Sequence, residues 1–328
     1  MTVPTNTFQV YTQVNIREDL INAIYNVDPY KTPFLNMCKK AEANQTFHEW
    51  NVDALAAQNT ANAQVEGDVP TNLVVAPTGR MGNYTQISGK TIEISGTSQA
   101  VVAAGGTNKM GYQLLKKSKE LKRDMEGILT LNQARAAGTS STARNSAGLP
   151  AFVLTNDVFQ SSSSGANPSG VTTLGSETFG NGTTARVYNG TQTAITEAQV
   201  KTVLQLVYTN SGESPEYGLV SPTNKQNISA FTGPGTRFIQ VEDKVLMTAV
   251  DVYESDFGDV KIIPDIFLAH SHDVFFINPN YARVAYLRPF QTIPLAKVAD
   301  ADQKMLLCEY TLELGNEHAM GAIYDTTG

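Results

Sequence analysis

The sequence predicts an α+β fold whose surface is largely covered by other copies of the chain. Three observations point there. A long helix-periodic run over 107–137 separates two strand-rich regions. The stretch 46–104 alternates like a hairpin yet holds little core material. Only 17% of the 328 residues are charged, below the usual quarter, and a weakly charged surface is poor at keeping a monomer apart from its neighbours. Hydrophobic residues make up 41%, enough to bury a real core, and the length suits two compact bodies with extensions.

Residues 1–45 read as an arm. Ile16, Leu20, Ile24 and Val27 recur at helical spacing, which predicts a short amphipathic helix near 17–25. Asp28-Pro29 ends it, because the residue before a proline is pushed out of the α region. Thr32-Pro33-Phe34 repeats that effect, so the segment is expected to lie extended on a neighbour, with Phe34 as its aromatic anchor. In 46–104, alternation over 85–94 places Ile87, Ile92 and Ile94 on a strand. Residues 56–79 carry Glu66 and Asp68 among Ala, Asn, Gln, Thr, Val and Pro. The expectation is a long two-stranded excursion with an irregular tip. A lone hairpin is marginal in water, so something else must cover it.

Over 107–137, Thr107 can cap a helix in which Met110, Leu114, Leu121, Met125 and Ile128 follow three-to-four spacing, until Gly138 stops it. At about 1.5 Å per residue such a helix spans roughly 45 Å and acts as a strut. Gly105-Gly106 before it is the expected hinge. Residues 155–195 are rich in Ser, Gly, Thr and Asn, with turn signals at Asn181-Gly182 and Asn189-Gly190. They read as an exposed loop with weak strands such as 185–188.

From Thr196 the pattern becomes globular. Thr196-Glu197-Ala198-Gln199 matches a capping box, with Val200, Val203, Leu204 and Val207 behind it. A strand at 217–221 leads into a short helix begun by Ser221-Pro222. Further strands are expected at 247–254, 259–263, 273–278, 283–287, 305–314 and 319–324.

Chemistry is sparse. A net charge of −7 argues against a basic coat for nucleic acid. Cys38 and Cys308 lie far apart, without metal or disulfide spacing, which fits synthesis in a reducing cytosol. Residues 1–7 show no secretion signal, and no apolar run is long enough to span a membrane. Ser88-Gly89-Lys90-Thr91 lacks the upstream glycine of a phosphate loop and has a strand pattern, so Lys90 reads as a strand-edge lysine. His270 and His272 would share one side of a strand, but no third metal ligand is near. His48-Glu49-Trp50 has no second histidine. Trp50 reads as a packing or interface anchor, with His48 or Glu49 hydrogen-bonded across chains. No catalytic constellation, cofactor motif or metal site emerges, so the chain is not expected to be an enzyme.

Lys116, Lys117, Lys119, Lys122 and Arg123 share the strut helix with Glu120, Asp124 and Glu126. A mixed-sign face suits solvent or intersubunit ion pairs better than nucleic acid. Pairing with Glu66 or Asp68 of an adjacent excursion is expected. The expected intersubunit surface is Phe34, Trp50, Glu66, Asp68, Arg80, Lys90, Lys116, Lys117, Lys119 and Arg123.

Several stretches, in this order, resemble the major capsid proteins of a group of short-tailed and related tailed bacteriophages. They include Arg17-Glu18-Asp19-Leu20, Thr32-Pro33-Phe34, His48-Glu49-Trp50, Gly82-Asn83-Tyr84-Thr85-Gln86-Ile87 and Lys119-Glu120-Leu121-Lys122-Arg123-Asp124-Met125-Glu126. Later come Tyr253-Glu254-Ser255-Asp256-Phe257-Gly258, Tyr286-Leu287-Arg288-Pro289, Pro294-Leu295-Ala296-Lys297, Glu309-Tyr310-Thr311-Leu312-Glu313 and Asn316-Glu317.

The resemblance implies the tailed-phage capsid fold, shared with the herpesvirus capsid floor. Its parts would be an N-terminal arm (1–45), an extended β-hairpin or E-loop (46–104), and a peripheral domain (105–195) on a spine helix. An axial domain (196–291), a peripheral return strand (292–318) and a last axial strand (319–328) would follow. Implied partners are many copies of the chain as hexamers and pentamers, a portal protein, a scaffolding protein because no long leader precedes the arm, and packaged DNA contacted non-specifically. No membrane is implied. The Ser/Gly-rich 157–185 stretch is longer than the group suggests, and reads either as an outer-face loop or as a site for a decoration protein. The implied place is the virion capsid, after synthesis in the bacterial host cytoplasm. An encapsulin-like compartment shell and a β-rich tail or surface protein are the alternative classes.

Overall fold

The computed structural model describes residues 31–56, 58–69, 78–101, 109–159, 170–172, 178–188, 190, 192–231, 252–270, 272–297 and 299–327. The expected helix at 17–25, the Thr107 cap, the Gly105-Gly106 hinge and most of the Ser/Gly-rich stretch lie outside them.

The chain opens with α1 (Pro33–Met37), β1 (Lys39–Glu42), β2 (Phe47–Val52), β3 (Gly79–Tyr84) and β4 (Gln86–Ser95). There follow α2 (Gly96–Ala100), α3 (Lys109–Thr130), and the short strands β5 (Asp157–Phe159), β6 (Gly170–Thr172) and β7 (Thr178–Gly180). Next come α4 (Glu197–Ser211), β8 (Tyr217–Val220), α5 (Pro222–Ser229), β9 (Val252–Ser255), β10 (Gly258–Pro264) and β11 (Val274–Ile277). The chain closes with β12 (Ala282–Pro294), β13 (Ala301–Leu314) and β14 (Gly321–Tyr324).

Two sheets organise the body. One runs β1-β12-β13-β4 and the other β5-β14-β11-β8-β10-β9. β2 and β3 form a separate antiparallel pair. In the six-stranded sheet the two-residue period divides the side chains. Val274 and Phe276 of β11 pack with Val200, Val203, Leu204 and Val207 of α4 in one core, while Phe275 and Ile277 belong to a second. β8 splits the same way, with Val220 in the first and Leu219 in the second. The second core continues through Leu121, Met125 and Leu129 of α3 to Cys308, Tyr310 and Leu312 of β13. The six-stranded sheet is therefore covered on both faces, which explains why all four residues of β11 are buried.

Local signals account for several elements. Ser221 caps α5 through its hydroxyl, which accepts from Asn224 N–H, with Pro222 at the first position. At α4, Gln199 Oε1 accepts from the Thr196 N–H at 2.9 Å, and Gly212 at φ 71° ends the helix in the left-handed region. β12 continues through Pro289 because its register with β13 shifts between Arg288 and Gln291, so the ladder skips the residue that lacks a donor.

Four expectations change. The strut helix ends at Thr130, not at residue 137. At about 1.5 Å per residue its 22 residues span roughly 33 Å. Residues past Thr130 bond elsewhere: Asn132 exchanges hydrogen bonds with the Arg186 backbone at 2.7 and 2.9 Å, and Ala136 bridges to Asn145. The second correction concerns the excursion. β4 leaves it and pairs along β13, from Tyr310 opposite Gln86 to Ala301 opposite Ser95. Among the described residues, its two-stranded base is the β2–β3 pair. Third, 185–188 is not a strand, because Arg186 and Tyr188 are drawn into side-chain contacts with the six-stranded sheet. Fourth, His272 sits in a turn at φ 56°, after a 3-10 helix at Ile266–His270, so the two histidines do not share a strand.

Candidate functional site

The arm root is the first part of the expected assembly surface, and it turns inward. Phe34 is 0% exposed and lies in the chain's own core with Leu121 and Met125. This corrects the expectation of an anchor in a neighbour. Pro33 starts a short helix rather than an extended strand. The buried Glu126 carboxylate then accepts from the N–H groups of Phe34 and Leu35 at 2.6 and 2.7 Å. Thr32 offers no side-chain cap, so Glu126 satisfies donors the segment cannot satisfy itself.

The base of the excursion is fastened by buried polar groups on one face of β13. Glu309 accepts from Thr85 Oγ1 at 2.7 Å, Arg144 Nη2 at 2.6 Å and Arg288 Nε at 2.8 Å. Glu313 meets His48 Nε2 at 3.0 Å and Arg283 Nη1 at 3.1 Å. The hydrogen bond with His48 is the main reason its carboxyl sits below the ordinary range. The buried Asn83 side chain donates to Ser146 Oγ and to the Ala147 and Leu312 carbonyls, and accepts from Ala147 N–H at 2.9 Å. Gly82 has no room for a side chain, since a Cβ there would lie 2.7 Å from the Phe47 ring and 2.9 Å from the His48 carbonyl oxygen. Its own carbonyl accepts from Arg135.

His48 and Glu49 both bond within the chain. Glu49 pairs with the largely exposed Arg80. Trp50 is half-buried against Phe152, with ring centroids 6.0 Å apart, which assigns it to packing. The acidic face of β13 is the part that sequence reasoning missed. Its signal was Glu309, Thr311 and Glu313 at every second position among Cys308, Tyr310, Leu312 and Leu314, in the C-terminal half of the strand.

Glu309→Ala is expected to lower stability by about 2–3 kcal/mol, below the full value for a broken buried pair because Arg144 and Arg288 keep partial contact with water. A urea midpoint that falls at constant m-value would record it.

The remaining expected surface residues face outward or bond locally. Glu66 and Asp68 are exposed on the excursion segment, beside Leu55, Val65 and Val69 at 94%, 76% and 82% exposure. Lys116 is exposed, and Lys117 pairs with Glu120 on its own helix at 2.7 Å. Lys119 is half-buried and engaged. Lys90 ties β4 to α3 through Asp124 at 2.5 Å. Arg123 lies over the Phe267 ring at 5.7 Å. Of the expected set, then, Glu66, Asp68 and Lys116 are the charged groups that extend from the body without an ion partner among the described residues.

A strut helix crossing a long sheet, an excursion rooted on that sheet and a second sheet backed by helices together define a tailed-phage capsid fold. Solved structures share it. The chain matches a "Cyanophage A-1(L) capsid asymmetric unit" chain with a TM-score of 0.61 at 13% identity, covering 98% of this chain and 100% of that one. It matches the capsid of a native GTA particle with a TM-score of 0.61 at 11% identity, over 98% and 99% of the two chains. A structure from Mycobacterium phage Bobi gives 0.56 at 10% identity, over 95% and 96%. The chain belongs to the SU10 major capsid protein family, which matches residues 3–327. The curated major capsid protein of Escherichia phage Phieco32 is 38% identical over 160 residues. That alignment spans 48% of this chain and 46% of the relative, so about half of each is compared.

Proposed function

We propose that this chain assembles as hexamers and pentamers into the icosahedral head shell that encloses the double-stranded DNA of a tailed phage. The observation that carries the reading is the family match across nearly the whole chain. The exposed apolar residues of the excursion support it, since Leu55, Val65 and Val69 are uncovered among the described residues. In this reading the role is structural, without catalysis. We assign the four-stranded sheet and α3 to the peripheral domain and the six-stranded sheet with α4 and α5 to the axial domain, which moves β12 out of the expected axial range 196–291 and β5 out of the expected peripheral range 105–195. A portal and a scaffolding protein are the expected assembly partners, the 157–185 stretch is the candidate contact for a decoration protein, and synthesis takes place in the host cytoplasm. Electron microscopy of the purified chain tests the proposal. Closed icosahedral shells support it, and tubes or dispersed monomers overturn it.

Within that shell, Glu66 and Asp68 of one copy pair with Lys116 on α3 of the next. Exposed pairs contribute only about 0.2–1 kcal/mol each, but the contact recurs in every copy. Lys116→Glu is expected to raise the critical assembly concentration by about two- to fivefold. Adding Glu66→Lys and Asp68→Lys to the same chain should restore it. A failure of that reversal would count against the pairing.

A further inference from the structure

The carboxyl group of Glu126 does more than accept two backbone N–H groups. It also faces the carboxyl of Asp265, the residue that follows β10. Both side chains are almost wholly buried. Asp265 Oδ1 accepts from the Phe267 N–H at 3.0 Å, while Oδ2 is buried without an N–H or O–H donor among the described residues. Two buried carboxyl groups that face each other cannot both be ionised cheaply, and one proton held between them would satisfy both.

The groups around the pair do not supply a compensating charge. From α1 comes the Cys38 thiol, which burial and Glu126 push well above the ordinary thiol range, so it is neutral. On α3, Arg123 lies over the Phe267 ring and Asp124 is paired with Lys90. From β1, Lys39 donates to Asn280 and Lys40 is exposed. Among the described residues, neither carboxyl has a basic partner.

We propose that Glu126 and Asp265 share one proton and together form a pH-sensitive latch on residues 33–38, the root through which the arm joins the body. In the latched state the proton lies between the two carboxyl groups, and the remaining negative charge is held by the N–H groups of Phe34, Leu35 and Phe267. Loss of the proton puts two negative charges into one buried site, and the root leaves it.

The direction of the pH effect follows. Burial, then the neighbouring Asp265 charge, raises Glu126 to about 8, and burial raises Asp265 to about 6. Both values lie above those of a free carboxyl. The latched state thus binds a proton that the open state releases. Its stability is complete below the ordinary carboxylate range and falls as pH rises through about 8.

Hydrogen exchange of the full-length chain, read by mass spectrometry, tests this. Rates for a peptide covering 33–38 are corrected for the intrinsic pH dependence of amide exchange, and a peptide from α4 serves as the internal control. In the wild type, exchange of 33–38 should rise at least about tenfold between pH 6 and pH 9 while α4 stays protected. Asp265→Asn should be flat over that range, because its amide donates permanently to Glu126 and its oxygen still accepts from Phe267. If that variant does not protect α4, Glu126→Gln is read in its place, with weaker protection but the same flat profile. A flat wild-type profile, or a rise that persists in the folded variant, overturns the proposal.

Discussion

Gly148→Ala is expected to leave the chain largely insoluble, whereas Gly127→Ala, on the adjoining helix, should make it slightly more stable. A Cβ on Gly148 would lie 1.9 Å from the carbonyl oxygen of Leu131 and 3.3 Å from that of Ile128. Both are backbone atoms at the end of α3, so no side-chain rotation relieves the overlap. The backbone of residue 148 is extended, at φ −89° and ψ 172°, so the glycine is required by close approach and not by its conformation. The cost should reach or exceed the upper end of the roughly 1–3 kcal/mol seen for overpacked cores, because the segment behind is also held by the Gly148 N–H bond to Gln133. A Cβ on Gly127 meets nothing within 4 Å, and alanine in a helix interior is favoured over glycine by about 1 kcal/mol. Soluble yield and thermal midpoint of the two variants, side by side, check the pair. A soluble Gly148→Ala chain with an unchanged midpoint would show that the packing between α3 and the 145–151 segment is looser than described.

Arg186→Met is the second large effect. The Arg186 side chain is wholly buried and pairs with Asp157, whose side chain is 10% exposed. Its guanidinium also donates to the Val153 carbonyl and stacks over Tyr324 at 4.0 Å. Methionine keeps most of the volume but leaves Asp157 buried without its cation. Burial already raises that carboxyl, with Arg186 opposing the rise. Removing one partner of a buried pair costs about 3–5 kcal/mol. The loss should be largest at neutral pH and above, and shrink as pH falls into the range where Asp157 takes up a proton. Denaturation midpoints at pH 5 and pH 8 measure it. An equal loss at both would assign the effect to the Val153 bond and the stacking on Tyr324 rather than to the Asp157 pair.

Period and capping were legible in the sequence, while partners were not. The spacing of Leu121 and Met125 marked the strut helix, and Thr196 with Gln199 marked the start of α4, because both signals act within a turn or two of chain. The alternation across 85–94 identified β4 as a strand, with Ile92 and Ile94 on the inner face and Ile87 on the exposed one, but alternation leaves open which strand lies alongside. It therefore read as half of a hairpin, although β13, more than 200 positions away, is its partner. The end of α3 failed for a related reason. Gly138 is a local stop, but the Asn132 bonds to the Arg186 backbone act earlier and at long range. Glu126 was hidden because a glutamate on a mixed-sign helix reads as solvent-facing. Only the arrival of Phe34, Leu35 and Asp265 makes that position interior. Of the candidate surface, the exposure of Glu66, Asp68 and Lys116 was legible, while the inward turn of Phe34, His48 and Trp50 required the fold.

β13 has a mechanical consequence. At about 3.3 Å per residue its 14 residues reach roughly 45 Å, and it is hydrogen-bonded to β12 on one side and β4 on the other. A pull along that direction loads both ladders in shear, so many bonds must fail together before the strand slips. A pull at the β2–β3 pair can open its shorter ladder one rung at a time. The subunit is therefore a tie rod with a compliant end, stiff along the long sheet and yielding first at the excursion.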